Sequence, residues 1–404
     1  MDSESGLISP DIPAWDGDFF DEAVLTDLEP FYAELRRRGP LVHLTRYGVL
    51  ACGRYRETQE IFSDWKRFVS SRGVGLTDFK KEKPWRQPSI VLEVDPPEHT
   101  RTRTVLTRAL SPRAVSALME TFRAEADMLI DRLLEKDTFD AVTEMAEVYP
   151  LKVFPDAVGI SPEGRENLLI YGSMVFNALG PDNPTRRAAM AHAATVLPWI
   201  NERCARDAIT ADGFAATIYA AADAGDITEA EAAMLVRSLL SAGVDTTVTG
   251  IGSAMFCFAK NPDQYALVRH DPSLVRPAFE EVLRYTSPVT AFCRTANVDT
   301  EVSGLPIREG TKILCVLGAA NLDEEKWPGA DRFDVTRRPS GHLAFGTGIH
   351  GCVGQTLSRA ETEAVIGALR ERVATIELAG EPVWQPNNSM HLLKSLPVRI
   401  TAKA

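Results

Sequence analysis

Apolar residues recur in this chain mostly at helical spacing. A period near 3.6 dominates from residue 98 to residue 372. The run SPRAVSALMETFRAEADMLIDRLL opens with Ser111 as N-cap and Pro112 at the first helical position, which predicts one helix from there. Gly180, Asp182 and Pro184 break the pattern between two helices. The first part of the chain is mixed. Residues 41–43 and 48–52 read as short strands around a turn, and 54–63 as a helix. The stretch 70–89, rich in Gly, Lys and Pro, reads as a long loop, and loops of that length in a compact protein are usually functional or disordered. The tail, 383–400, returns to strand-like text. The expectation is a mainly α fold with minor β, in a single domain spanning 1–404.

One predicted helix runs from about residue 228 to 260. Thr228 and Glu231 fit a capping box, and Pro262 stops it. Such a helix would be roughly 50 Å long at 1.5 Å per residue. It is apolar nearly all round after Leu235, so it belongs in the middle of the molecule. Its centre, however, reads Ser241-Ala242-Gly243-Val244-Asp245-Thr246-Thr247, a run of poor helix formers. A kink around a satisfied core aspartate and a local opening beside a buried reaction site both fit.

Charge and composition narrow the function classes. The balance of 44 Lys+Arg against 56 Asp+Glu gives a net charge of −12, which disfavours nucleic acid and anionic membrane as partners. No window approaches 18 uninterrupted apolar residues, and the first residues lack a leader pattern. A reducing cytoplasmic setting follows as the expectation. Six cysteines without a CxxC pair argue against a zinc ribbon, an iron–sulfur site or a disulfide scaffold. Five of them, Cys52, Cys204, Cys257, Cys293 and Cys315, read as buried small residues.

Cys352 differs. It lies in Phe345-Gly346-Thr347-Gly348-Ile349-His350-Gly351-Cys352-Val353-Gly354, directly before a predicted helix, 355–372. A helix N-terminus lowers a thiol's pKa and offers N–H groups to a thiolate. The thiolate would serve either as a nucleophile, with His350 two residues away, or as an axial metal ligand beside something flat that the glycines admit.

The segment resembles the haem-binding signature of the cytochrome P-450 family, Phe-x-x-Gly-x-x-x-Cys-x-Gly, with Phe345, Gly348, Cys352 and Gly354 at the fixed positions. Glu281 and Arg284 match its Glu-x-x-Arg. Ala242 to Thr247 match its oxygen-activating motif, and the run from Asn321 to Asp334 matches the loop before its haem site. The resemblance implies that fold, with haem b between the long central helix and the cysteine loop. It implies Cys352 as proximal thiolate and a buried Glu281–Arg284 ion pair. His99, Arg103, Arg294 and His342 would serve the haem propionates, and Asp245 and Thr246 the delivery of protons to O2.

On the substrate side, Arg86, Ser89 and Ser238 would converge on an anion, with Arg237 beside them. Ser238 would share a helix face with Asp245, seven residues on. Leu92, Phe176, Ala242, Val289 and Phe292 would form apolar walls. In these residues the chain resembles the bacterial branch that demethylates para-substituted benzoates such as 4-methoxybenzoate. The alternatives are another small apolar substrate (a terpene or fatty acid), a peroxygenase, or a non-catalytic haem-thiolate sensor. With no flavin or iron–sulfur motif, the resemblance implies electrons from a small ferredoxin and its NAD(P)H-dependent reductase. Arg101, Arg103, Arg108, Arg337, Arg338 and Arg359 are the candidates for its docking patch.

Overall fold

The computed structural model describes residues 8–403. The reading of the first residues as lacking a leader falls largely outside them.

A six-stranded mixed sheet occupies one side of the molecule. In spatial order its strands are Ala14–Trp15, Val42–Leu44, Val49–Cys52, Lys312–Val316, Ala291–Ala296 and Phe68–Val69. Val49–Cys52 runs parallel to Lys312–Val316, which is antiparallel to Ala291–Ala296. The alternation of a strand explains why Lys312–Val316 is apolar on both faces. Ile313 and Cys315 enter one hydrophobic cluster, and Leu314 and Val316 enter another on the opposite face. A larger cluster lies among the helices and surrounds the central pair.

The expected helix at 228–260 is two helices, Glu229–Ala242 and Asp245–Lys260. The capping box at Thr228 and Glu231 forms as expected. The interruption falls at Gly243 and Val244. A Cβ on Gly243 would stand 2.1 Å from the Phe154 ring, so only glycine lets the chain pass there. The Thr246 and Thr247 hydroxyls donate to the Ala242 and Gly243 carbonyls at 2.8 and 3.2 Å, which occupies acceptors at the break. The helix expected from Pro112 is also divided, into Pro112–Ser116 and Met119–Leu133, with Ser111 capping the first as expected. There the Leu118 N–H turns to the Val115 carbonyl, three residues back, at 3.0 Å.

Candidate active site

The Cys352 loop is shaped by its glycines. Gly346 and Gly348 have φ of +67° and +69°. At Gly348 a Cβ would stand 2.8 Å from the Phe62 carbonyl oxygen, so the loop packs directly on the end of the Tyr55–Ser63 helix. The Cys352 N–H donates to the Phe345 carbonyl at 2.8 Å. Gly354 caps the Gln355–Arg372 helix, at the predicted position. The thiol departs from its expectation. Burial raises its pKa and outweighs the Gly354 and Gln355 N–H groups and the Arg103 and Arg359 charges that favour the thiolate. Those donors await a negative sulfur, and a coordinated metal ion deprotonates such a thiol outright.

Cys352 forms one wall of a cavity of about 260 Å³. Ala242, Gly243, Thr246 and Thr247, at the helix break, line it as well. So do Phe345, Gly354 and all five expected apolar residues: Leu92, Phe176, Ala242, Val289 and Phe292. Phe176, Val289 and Met390 form a small cluster with Leu179 and Phe292 against it.

Two cations that line the cavity, the half-buried Arg103 and the buried Arg294, have no carboxylate partner among the described residues. Arg103 donates to the Gly351 carbonyl at 2.6 Å, and Arg294 donates to the Cys293 carbonyl at 2.9 Å while lying 4.2 Å from the centre of the Phe62 ring. Burial lowers the pKa of both, so an anion beside them relieves a desolvated positive charge. His99 packs on His350 with ring centres 4.4 Å apart; the His99 Nε2 is buried with no hydrogen-bond partner, and the His350 Nε2 faces the Asp95 carboxylate at 3.7 Å. Burial, then the charges of His350 and Arg103, push His99 down to about 4. A sulfur on one wall, a void, and a rim of buried donors suit a flat dianionic cofactor with one axial ligand.

His342 requires a correction. Its Nε2 faces Glu280 at 2.9 Å, and its Nδ1 accepts from the Ala344 N–H at 3.2 Å. Both nitrogens serve the protein, and it is His350 that lines the cavity. Arg359 also pairs with Glu280 and lies over the Phe345 ring at 4.6 Å. Burial alone would raise the Glu280 pKa, but His342 and Arg359 bring it down to about 2. Arg359 therefore braces the cysteine loop and is not a free docking charge. Arg337 is likewise withdrawn, donating to Glu281 at 3.1 Å and to the Pro328 and Gly329 carbonyls.

Glu281 and Arg284 are fully buried and joined by two hydrogen bonds of 2.7 and 2.8 Å. Arg284 also holds the Asn321, Ala330 and Arg332 carbonyls, and Glu281 accepts from the Asp334 N–H. The pair thereby fixes the loop that leads to the cysteine segment.

At the polar end of the cavity stand Arg86, Ser89, Ser238 and Ser241. Ser241 escaped the sequence reading, although it lies one helical turn from Ser238. The Ser89 and Ser238 hydroxyls are 3.4 Å apart. Arg86 lies 3.4 Å from Glu93, and its Nε is buried without a partner. Arg237 does not line the cavity; it donates to the Gln87 carbonyl at 3.0 Å and so ties the loop to the central helix. Arg86 and Arg237 against Glu93 leave one net positive charge among these three groups.

Asp245 is not on the same face as Ser238. The helix break changes the phase between them, and Asp245 lines a second, smaller cavity on the other side. Burial, then the charge of Glu147, holds its pKa well above the usual carboxylate range. Glu361 was also missed: it lines the main cavity, is fully buried, and burial raises its pKa well above the usual carboxylate range, with the Thr247 hydroxyl opposing.

Comparison with known proteins gives one consistent answer. The family model for cytochrome P450 matches residues 187–401. The chain is 50% identical over 376 residues to "Cytochrome p450 CYP199A2" of Rhodopseudomonas palustris, covering 93% of this chain and 91% of that one. Among solved structures, CYP109Q5 from Chondromyces apiculatus superposes with a TM-score of 0.80 at 32% identity, covering 96% and 98%. The cytochrome P450 CREJ in complex with (4-ethylphenyl) dihydrogen phosphate superposes at 0.84 and 26%, covering 95% and 99%.

Proposed function

The chain belongs to the cytochrome P450 family of haem-b monooxygenases, and from that premise we propose that it oxidises a para-substituted aromatic carboxylic acid such as 4-methoxybenzoate. The observation that carries the reading is the polarity of the cavity. Arg86, Ser89, Ser238 and Ser241 line it, with the Ser89 and Ser238 hydroxyls 3.4 Å apart, together with the apolar Leu92, Phe176, Val289 and Phe292. A buried carboxylate needs such donors, or desolvation alone prevents its binding. The CREJ structure holds (4-ethylphenyl) dihydrogen phosphate, an aromatic anion with a para alkyl group, which supports a ligand of that class in this fold.

Cys352 would hold the haem iron through its thiolate, and Arg103, Arg294, His99 and His350 would hold the propionates. Haem bound in this way supplies the iron at which O2 is reduced and a substrate C–H bond is oxygenated. Each turnover takes O2, two electrons and two protons, and releases one water. Thr246, at the break, orders the proton donor on the cavity side, and Asp245 supplies it. The aromatic walls exclude other water. A methoxy carbon hydroxylated in this way collapses to the phenol and formaldehyde.

Electrons come, in this reading, from a small acidic ferredoxin and its NAD(P)H-dependent reductase. Arg101, Arg108 and Arg338 are the exposed members of the expected docking set. No helix among the described residues is long and apolar enough to cross a membrane. Supplying NADH, a bacterial ferredoxin and its reductase with 4-methoxybenzoate tests the reading. Formaldehyde and 4-hydroxybenzoate in equal amounts support it; turnover of a terpene or fatty acid, with none of the benzoate, contradicts it.

A further inference from the structure

The second cavity lies behind the helix break, on the side away from Cys352. Asp245, Glu147, Ser173, Thr249, Asn387 and Lys394 line it. At its inner end the Asp245 Oδ1 is buried without a hydrogen-bond partner. At its outer end Lys394 is exposed, and Glu147 is half-buried beside the exposed Val148. The cavity thus connects the surface to an acid that the main cavity does not reach.

Local structure places both acids. Glu147 stands where the π-helical turn Val142–Ala146 passes into the Val148–Val158 helix, a wide turn of the kind often found at functional sites. Asp245 owes its place to Gly172 on the facing helix, Asn167–Asn177. A Cβ on Gly172 would stand 2.1 Å from the Asp245 Oδ2, so any other residue displaces the carboxyl.

We propose that protons enter from the surface through this cavity and that Glu147 is the outer donor, passing a proton through water to the Asp245 carboxyl. Asp245 delivers its own proton across the break toward Thr246, takes the replacement from Glu147, and Glu147 is recharged from solvent. Two protons per turnover follow this path, one for each electron delivered to O2. The titratable groups on the cavity are Asp245, Glu147 and Lys394. Burial raises the Glu147 pKa, with Asp140 adding to it, and burial, then the charge of Glu147, raises that of Asp245. The inference rests on the reading of Asp245 and Thr246 as the proton supply.

The test uses the haem-loaded enzyme with ferredoxin, reductase, NADH and 4-methoxybenzoate, in water and in deuterium oxide. A positioned proton-transfer group contributes on the order of 10²–10⁴-fold, and cavity water replaces part of it, so Glu147→Gln should lower kcat at least about ten-fold. The solvent isotope effect should rise, and Glu147→Asp should recover most of the rate. The Kd for 4-methoxybenzoate, read from the spin-state shift, should move less than about two-fold, since the substrate lies on the other side of the helix. If Asp245→Asn is slow while Glu147→Gln keeps the wild-type rate and isotope effect, protons enter elsewhere and the inference is overturned. If both variants behave as wild type, the proton-supply reading itself fails. A slow Glu147→Gln with an unchanged isotope effect and no rescue by aspartate assigns Glu147 a structural role and also overturns the proposal.

Discussion

Thr246 donates its hydroxyl to the Ala242 carbonyl at 2.8 Å on the cavity side of the break. Its role follows O2 binding, so Thr246→Ala should leave the 4-methoxybenzoate spin shift nearly unchanged. NADH should still be consumed, with product per NADH several-fold lower and hydrogen peroxide in its place. Full coupling in that variant would remove Thr246 from proton delivery. His391 offers a separate test at the same scale. Its ring stacks on Trp384 at 3.9 Å with a 12° tilt, Nδ1 lies 3.3 Å from the Thr286 carbonyl, and burial pushes its pKa down from 6.5 to about 4. The folded state therefore binds fewer protons than the unfolded state in that window. Stability present above pH 6.5 should fall as the pH drops through it, by up to about 1.4 kcal/mol per pH unit. His391→Gln should lose less Tm between pH 7.5 and pH 5 than wild type; an equal loss would show that His391 does not titrate there. Residue identity was legible in the sequence wherever a motif fixed it, as at Cys352, Glu281 and Arg284. It was not legible for His342 and His350. They lie on one loop, and which of them turns inward is decided by the positive-φ glycines between them.

Among the elements, the break in the central helix has the largest consequence. Its composition fitted either a kink around a satisfied aspartate or an opening, and the structure shows a break with the Asp245 Oδ1 buried and without a hydrogen-bond partner. The face shared by Ser238 and Asp245 was wrong because a seven-residue spacing places two side chains together only on an unbroken helix. The break makes them serve two cavities. The loop over the substrate was legible as a loop, but its anchor was not. Lys312, on the buried strand Lys312–Val316, donates to the Arg72, Gly73, Gly75 and Thr77 carbonyls at 3.0–3.2 Å. A lone lysine in an apolar strand carries no sequence signal for such a role, because its partners lie some 240 residues away. An acceptor orphaned in the interior costs about 1–3 kcal/mol, and water recovers some of them, so Lys312→Met should lose ~3 kcal/mol of stability. It should also weaken 4-methoxybenzoate binding, because the same loop carries Arg86 and Ser89. Denaturant unfolding and the spin-state titration measure the two effects, and no change in either would contradict this account of the loop.

Across the whole molecule the fold was legible from motif order and helical periodicity, and the comparisons agree with it. The docking surface was less so, because sequence counts charges and not their partners. Arg359 and Arg337 are consumed inside, while Arg101 and Arg108 stay exposed with Glu231 and Asp226 as partners. Arg101→Glu should raise the ferredoxin concentration needed for half-maximal turnover, and the effect should shrink at high salt. An effect that salt leaves unchanged would point to lost structure instead.

In the proposed reading, the polar end of the main cavity recognises a carboxylate. Arg86→Ala tests it most directly, with 4-methoxybenzoate and its neutral isostere 4-methoxybenzamide each titrated by the spin-state shift. Truncating one partner of a buried charge pair costs about 2–5 kcal/mol, or roughly 30-fold and upward in Kd. The account predicts that loss for the benzoate and a much smaller one for the benzamide. Equal weakening of both ligands, or no binding of the benzoate to the wild-type protein, would contradict it.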